Sequence, residues 1–150
     1  MRGAAVVLAV AGLLAQGCGS SDAANPDDFV GVWTGTGNVT TRCGMGAGNT
    51  SALNETITIT KGVNAPLLVV VGTCSLQMDI HGTMATLRPG QMCTVMRNNV
   101  TSTATYSSGN FTIAGIQATF NLAASFTVGE GALVLSCTYL ASGTATKMPK

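Results

Sequence analysis

The chain of 150 residues contains seven Lys and Arg, six Asp and Glu and a single His, and its formal net charge is +1. A composition this close to neutral excludes the basic surface that nucleic-acid binding requires. With His81 as the sole histidine and no Cys-x-x-Cys pair, zinc-type ligand sets are excluded too, and no metal or cofactor is predicted. Few charges and many threonines favour a small β-domain whose outer faces carry hydroxyl groups.

The first residues have the pattern of an export signal. Arg2 supplies a positive charge, and residues 3–15 form an apolar run that is too short to cross a membrane as a helix. The run ends in Leu-Ala-Gln-Gly-Cys at residues 14–18, which resembles the lipobox of bacterial lipoproteins. In that family the signal peptide is cut before the cysteine, which then becomes the lipidated N-terminus. The alternative is an ordinary cleaved signal that leaves Cys18 as a thiol.

The lipobox resemblance implies the organisation of the chain. It implies a signal peptide at residues 1–17, a lipidated Cys18 on a tether over residues 18–28, and one folded domain at 29–150. Gly19 follows the cysteine, where an aspartate would retain a lipoprotein at the inner membrane. The resemblance therefore implies an anchor in the outer membrane of the cell envelope.

The cysteine count fits this reading. Of five cysteines, four remain if Cys18 carries lipid, which is enough for two disulfides in an exported chain. Cys74 and Cys93 bracket one predicted hairpin and its return, and we predict that they pair. Cys43 and Cys137 lie on what would be the neighbouring first and last strands of a closed barrel, and we predict the second disulfide there.

From residue 29 onward the chain predicts strand after strand. The first strand, residues 29–40, holds Trp33, the only tryptophan, on the same face as several glycines, because side chains in a strand alternate with period two. Residues 42–54, rich in Gly, Asn and Ser, are predicted to be a loop. Further strands are predicted at 55–61, 67–71, 74–80, 83–87, 92–96, 100–106, 111–114, 116–128 and 133–139.

Two hairpin registers follow from two-residue turns at residues 81–82 and 130–131. The alternation of apolar residues decides which face each strand presents to the core. The resulting predicted pairs are Met78 with Ala85 and Phe126 with Leu135.

Eight or nine short strands without a helical period predict an all-β domain, either a single antiparallel up-and-down barrel or a sandwich. Gly31-Val32-Trp33 resembles the Gly-x-Trp of lipocalins and related calycin barrels, which lies on their first strand. In those barrels the indole closes the floor. The resemblance implies the same place for Trp33, and the alternative is a core tryptophan of a β-sandwich.

Catalysis is not predicted. Asp79 and His81 share one strand face and could form an acid–base pair, but no Gly-x-Ser-x-Gly elbow supplies a nucleophile. Glu55 and Glu130 lie far along the chain from Asp79, on other predicted strands and turns, so no carboxylate pair is indicated. We therefore predict that the protein is not an enzyme.

Two functions remain. The first is a binding module for a small apolar ligand in the barrel interior. Its predicted lining residues are Trp33, Phe120, Phe126, Leu135 and Tyr139. Small inward residues would leave room for the ligand, namely Gly31, Gly35, Gly37, Ala118 and Ala124. The second is a structural or protein-interaction module with a filled core that meets another envelope protein, including an inhibitor of a secreted enzyme.

Overall fold

The computed structural model describes residues 25–97, 100–128 and 134–149, which form one short helix and nine strands. The predicted signal peptide and Cys18 lie outside the described residues. The elements are α1 (Pro26–Phe29), β1 (Gly31–Cys43), β2 (Asn49–Lys61), β3 (Leu67–Val71), β4 (Cys74–His81), β5 (Met84–Leu87), β6 (Gln91–Arg97), β7 (Val100–Ala114), β8 (Gln117–Val128) and β9 (Leu135–Lys147). The predicted all-β fold is confirmed.

The sheet closes into a barrel. The strand order is β5-β4-β3-β2-β1-β9-β8-β7-β6, and every pairing of neighbours is antiparallel. Residues 84–86 of β5 also pair with residues 110–112 of β7, which joins the two ends of the order. Eight strands therefore form a closed barrel and β6 is an additional strand, so of the two predicted architectures the barrel is the one found.

Strand β6 leaves a seam, by which we mean the gap between β4 and β6. Strands β5 and β6 run one after the other along β7, and of these two strands β5 forms a backbone ladder with β4 whereas the described residues of β6 do not. The side chain of Gln91 bridges the seam: its Oε1 accepts from the Gln77 N–H at 2.6 Å, and its Nε2 donates to the Gln77 carbonyl at 2.9 Å. The Gln91 amide thus does what a peptide group would do in a continuous ladder.

Both predicted disulfides are present. Cys43 and Cys137 are directly opposite each other on β1 and β9, and their bond joins residues 94 positions apart. Cys74 on β4 is bonded to Cys93 on β6, across the seam, with a separation of 19 positions. The second bond therefore holds together two strands whose backbones do not pair at that level.

One end of the barrel, the floor, is closed by α1 and the tryptophan. The side chain of Asn25 caps α1 by accepting from the Asp27 N–H at 3.1 Å. Phe29 and Trp33 are both 0% exposed, and the indole Nε1 donates to the Phe29 carbonyl at 2.9 Å. The Phe111 ring meets the indole edge to face at 5.1 Å between centroids. The predicted burial of Trp33 is confirmed, and residues 26–28 of the predicted tether belong to the helix.

Lys147, near the end of β9, covers the tryptophan. Its Nζ lies 5.4 Å from the centroid of the Trp33 ring, within the range of a cation–π contact. The same Nζ donates to the Asp28 carbonyl at 2.8 Å. The last strand is thereby joined to α1, and the floor is held by both ends of the folded chain.

Both predicted hairpin registers are wrong by two residues. Met78 is opposite Leu87 and not Ala85, because the first turn is made by residues 82–83. Phe126 is opposite Cys137 and not Leu135. A shift of two residues keeps every side chain on its predicted face, since the side-chain period of a strand is two. The predicted division into separate strands at 100–106 and 111–114 is also wrong, because β7 is continuous from Val100 to Ala114 with one irregularity in its pairing with β8.

Candidate functional site

The half of the barrel next to the floor is filled by its own side chains. The ring of Phe120 fills much of the space that the inward glycines were predicted to leave empty. A Cβ added to Gly35 would lie 3.3 Å from Phe120 Cε1 and 3.2 Å from Ile57 Cδ1, and one added to Gly143 would lie 2.9 Å from Phe120 Cζ. The buried residues of this half include Ile57, Ile59, Leu67, Val69, Leu76, Met78, Leu87 and Ile113.

The other half of the barrel, the upper half, is open on one side. Strand β2 pairs with β3 only from Ile57 to Lys61, so residues 49–56 of β2 extend beyond the end of β3. On the far side of this opening β6 pairs with β7, and its described residues form no backbone ladder with β4. The opening, which we call the mouth, lies above the β3–β4 turn at residues 72–73. Strands β3 and β4 do not extend into this part of the barrel. Three strand spacings therefore separate β2 from β6 across the mouth, a width on the order of 14 Å.

Behind the mouth lies the upper cavity, which has two adjoining parts of about 480 and about 560 Å³. Glu55, Phe126 and Tyr139 line both parts. The other residues of the first part are mostly small or apolar: Val71, Gly72, Thr73, Cys74, Ser102, Ala104, Tyr106 and Ala124. The second part is more polar, with Val39, Thr41, Asn49, Ser51, Ala52, Leu53 and Asn54. Each part falls in the size range of small-molecule sites.

Of the five predicted lining residues, the structure brings Phe126 and Tyr139 together in the upper cavity. Phe120 packs against the filled half and Trp33 lies at the floor. Leu135 begins β9 at the upper rim, where it is 55% exposed and outside the described lining. Of the small inward residues proposed to leave room, Ala124 is the one that lines the cavity.

The polar wall of the cavity is not evident from the sequence. The loop predicted at residues 42–54 is confined to residues 44–48, because β1 continues to Cys43 and β2 begins at Asn49. Asn49, Ser51 and Leu53 line the cavity from this hairpin. Ala52 and Asn54 line it too, and all of these residues except Leu53 are exposed, so no alternation of burial marks this part of β2.

Tyr106 adds a polar group to the apolar wall. Its hydroxyl lies 3.8 Å from Cys74 Sγ, toward which it donates, and its side chain is partly buried against the core. Burial raises the pKa of the Tyr106 phenol, because a phenolate would lose its hydration there. Tyr106 is therefore neutral and can offer a ligand one hydroxyl group.

Asp79 and His81 do not belong to this cavity. Arg88 holds the Asp79 carboxylate with two hydrogen bonds, Nε to Oδ2 at 2.9 Å and Nη2 to Oδ1 at 2.7 Å. This hydrogen bonding by Arg88 lowers the pKa of Asp79. His81 is exposed at the end of β4. The Asp79 carboxylate is thus engaged by Arg88 on the outside of the filled half, and the absence of catalysis stays a prediction.

Within the three described stretches, no group of three or more His, Cys, Asp or Glu is placed to hold a metal ion. The same stretches contain no helix that is long and apolar enough to cross a membrane. Comparisons with protein-family models, with curated proteins and with solved structures give no match to this chain.

Proposed function

We propose that the protein is a non-catalytic binding module that holds a small apolar ligand in the upper cavity. The observation that supports it is the contrast between the two halves of one barrel. Interiors are normally packed to the density of organic crystals, and the floor half has buried apolar side chains in contact with one another. The upper half instead keeps Val71, Ala104, Phe126 and their neighbours around an open space. A ligand that covers this apolar surface gains about 25 cal/mol for each Å² removed from water.

The lining also indicates how a ligand is oriented. The apolar part of the cavity lies beside the β3–β4 turn, and the polar part lies under the β1–β2 hairpin with Thr41, Asn49 and Ser51. An apolar body therefore fits beside Phe126, and polar atoms fit toward the hairpin. This division is the usual one in small-molecule sites, where a few polar groups orient a mostly apolar ligand.

A second function is favoured by a different observation, the free edge of β2. Residues 49–56 pair with β1 on one side and extend beyond β3 on the other. An edge strand of this length, with one charge and no proline, presents unpaired backbone N–H and C=O groups that can pair with a strand from another protein. The alternative function is therefore a protein-interaction module of the envelope, including an inhibitor of a secreted enzyme.

The binding proposal is tested by filling the cavity. Ala124 is buried in its wall, and Ser125, the next residue, is exposed on the outer face. We expect the Cys18→Ser protein to enhance the emission of the neutral probe N-phenyl-1-naphthylamine. Adding Ala124→Phe should weaken that binding at least about tenfold, because the new ring occupies the cavity. Ser125→Phe should leave it unchanged.

Two outcomes would overturn the binding proposal. One is a Cys18→Ser protein that does not bind the probe, and the other is equal probe binding by Ala124→Phe and Ser125→Phe. If Ala124→Phe does not fold, as judged by the Trp33 emission, Ala104→Phe fills the same space from β7. If the protein instead adds a strand from a partner at the edge of β2, the Ala124→Phe variant should still bind that partner protein.

The proposed location is the outer membrane, through a lipid on Cys18. Six residues separate Cys18 from Asn25, and the seven Cα–Cα steps between them reach at most about 25 Å. The chain enters the barrel at the floor through α1. The floor therefore faces the membrane, and the mouth lies in the half of the barrel farther from it.

This location predicts the effect of removing the cysteine. Cys18→Ser should move the protein from the membrane fraction to the soluble fraction, because the chain then has no residue to acylate. Ser20→Ala, two positions further on, is the matched control and should leave the protein in the membrane fraction. Processing of the native chain that is insensitive to globomycin would count against the lipid anchor.

A further inference from the structure

We propose that the upper cavity selects ligands with a positively charged head group, of which a primary alkylammonium is the simplest, and that Glu55 is the counter-ion. The inference rests on the proposed function and names its ligand class. It comes from one unusual residue: Glu55 is a carboxylate on the inward face of a strand, where its neighbours at two-residue spacing are Leu53 and the buried Ile57.

Glu55 is exposed, and its position on β2 places its charge at the edge where the cavity opens to solvent. Glu55 is opposite Gly35 in the pairing of β2 with β1, one inward position above Ile57. Ile57 is opposite Val71, the last residue of β3. Glu55 therefore follows directly on the filled half, at the point where β2 separates from β3 and the mouth begins. It lines both parts of the cavity, so a ligand in either part lies near it.

Among the described residues, the rest of the lining does not balance this charge. The described residues around both parts include no Lys or Arg, and apart from Glu55 they are apolar, hydroxyl or amide residues. The two ion pairs of the described chain, Lys61–Asp27 and Arg88–Asp79, do not involve Glu55. A ligand cation would therefore supply the opposite charge inside the cavity, and a ligand carboxylate would meet a like charge.

The aromatic residues of the cavity favour the same sign of charge. Phe126 and Tyr139 line both parts together with Glu55. The face of an aromatic ring carries negative electrostatic potential and attracts ammonium groups. A carboxylate and two aromatic rings around one space are thus suited to a cation whose attached chain is apolar. The chain would lie along Ala104, Ala124 and Tyr106.

The experiment compares three twelve-carbon ligands that differ in the head group. Dodecylammonium, dodecan-1-ol and dodecanoate, each below its critical micelle concentration, are titrated against N-phenyl-1-naphthylamine bound to the Cys18→Ser protein. We expect dodecylammonium to displace the probe at a concentration about two- to fivefold lower than dodecanoate, the range that an exposed ion pair gives. High salt should reduce this ratio, because the mouth is open to solvent.

Glu55→Gln should remove most of the difference between the ammonium and the carboxylate while leaving displacement by dodecan-1-ol unchanged, and the aromatic rings account for the remainder. Asp28→Asn makes the same change in net charge at the exposed floor end, and should keep the difference. Equal displacement by all three ligands before substitution would overturn the charge selectivity and leave the binding function standing. A preference for ammonium that Glu55→Gln does not reduce would overturn the role of Glu55. Failure of the probe to bind at all would overturn the proposed function itself.

Discussion

Trp33→Ala should lower the free energy of unfolding by about 3–5 kcal/mol, the usual range for removing a buried aromatic side chain. The indole is fully buried, packs against Phe111 and donates to the Phe29 carbonyl. Its loss leaves a cavity at the floor and removes the hydrogen bond that holds α1 in place. Because domains are stable by only about 5–15 kcal/mol, the variant should be partly unfolded at 37 °C. Urea unfolding followed by circular dichroism measures the loss.

Trp33→Phe is the matched control and should lower the free energy of unfolding by less than Trp33→Ala does. The phenyl ring keeps most of the packing, but the Phe29 carbonyl loses its donor, so a loss of about 1–3 kcal/mol is expected. Before substitution, the single indole should emit in the blue and shift to the red on unfolding. Native emission typical of a solvated indole would contradict the closed floor. Ligand binding should barely change the emission, because Trp33 is absent from the described lining of the upper cavity.

The barrel and its disulfides were predictable because alternation and cysteine placement are strong signals. Trp33 shares its strand face with glycines, and that face is the interior. A closed barrel makes the first and last strands neighbours, and Cys43 and Cys137 are directly opposite there. Both inferences use only period two and closure, which do not depend on the exact register.

The registers could not be predicted, since the pattern that decides the face leaves a shift of two residues undecided. Turn geometry decides the remaining choice. Gly82 has a φ of 58° and occupies the first of the two turn positions, with Thr83 as the second. The apolar pattern around residues 78–87 fits two turns equally well: the predicted one, with Gly82 in the second position, and the observed one, with Gly82 in the first. The sequence of this hairpin therefore does not distinguish the two registers.

The site was harder to predict than the fold for a physical reason. A strand that lines an open, hydrated space has polar residues on its inward face, as Asn49 and Ser51 do, so the alternation that identifies strands disappears. The filling of the other half depends on contacts between residues distant in sequence. Phe120 packs over Gly35 and Gly143, which come from two other strands. No local pattern indicates which inward glycine is covered by a distant ring.

The two disulfides should differ in their effect on stability. In the chain-entropy model, a bond closing 94 residues contributes about 4.7 kcal/mol and one closing 19 residues about 3.2 kcal/mol. Replacing Cys43 and Cys137 by Ser should therefore lower the free energy of unfolding more than replacing Cys74 and Cys93. Urea unfolding of the two double variants, followed by the emission of Trp33, measures both values. Each double variant is the matched control of the other, since both replace one disulfide by two hydroxyl groups.

The two double variants should rank in the opposite order for probe binding: the loss of the disulfide between Cys74 and Cys93 should weaken binding more than the loss of the other. Cys74 lines the upper cavity, and its bond to Cys93 crosses the seam, where the backbones of β4 and β6 do not pair. Without that bond the Gln91 amide is the remaining hydrogen-bonded bridge described across the seam, and β6 can move away from the mouth. The Cys74 and Cys93 variant should therefore bind N-phenyl-1-naphthylamine more weakly, while the Cys43 and Cys137 variant should bind it normally once folded.

If removing the bond between Cys74 and Cys93 instead costs more stability than removing the other, packing at the seam outweighs chain entropy. If it leaves binding unchanged, the seam does not shape the cavity.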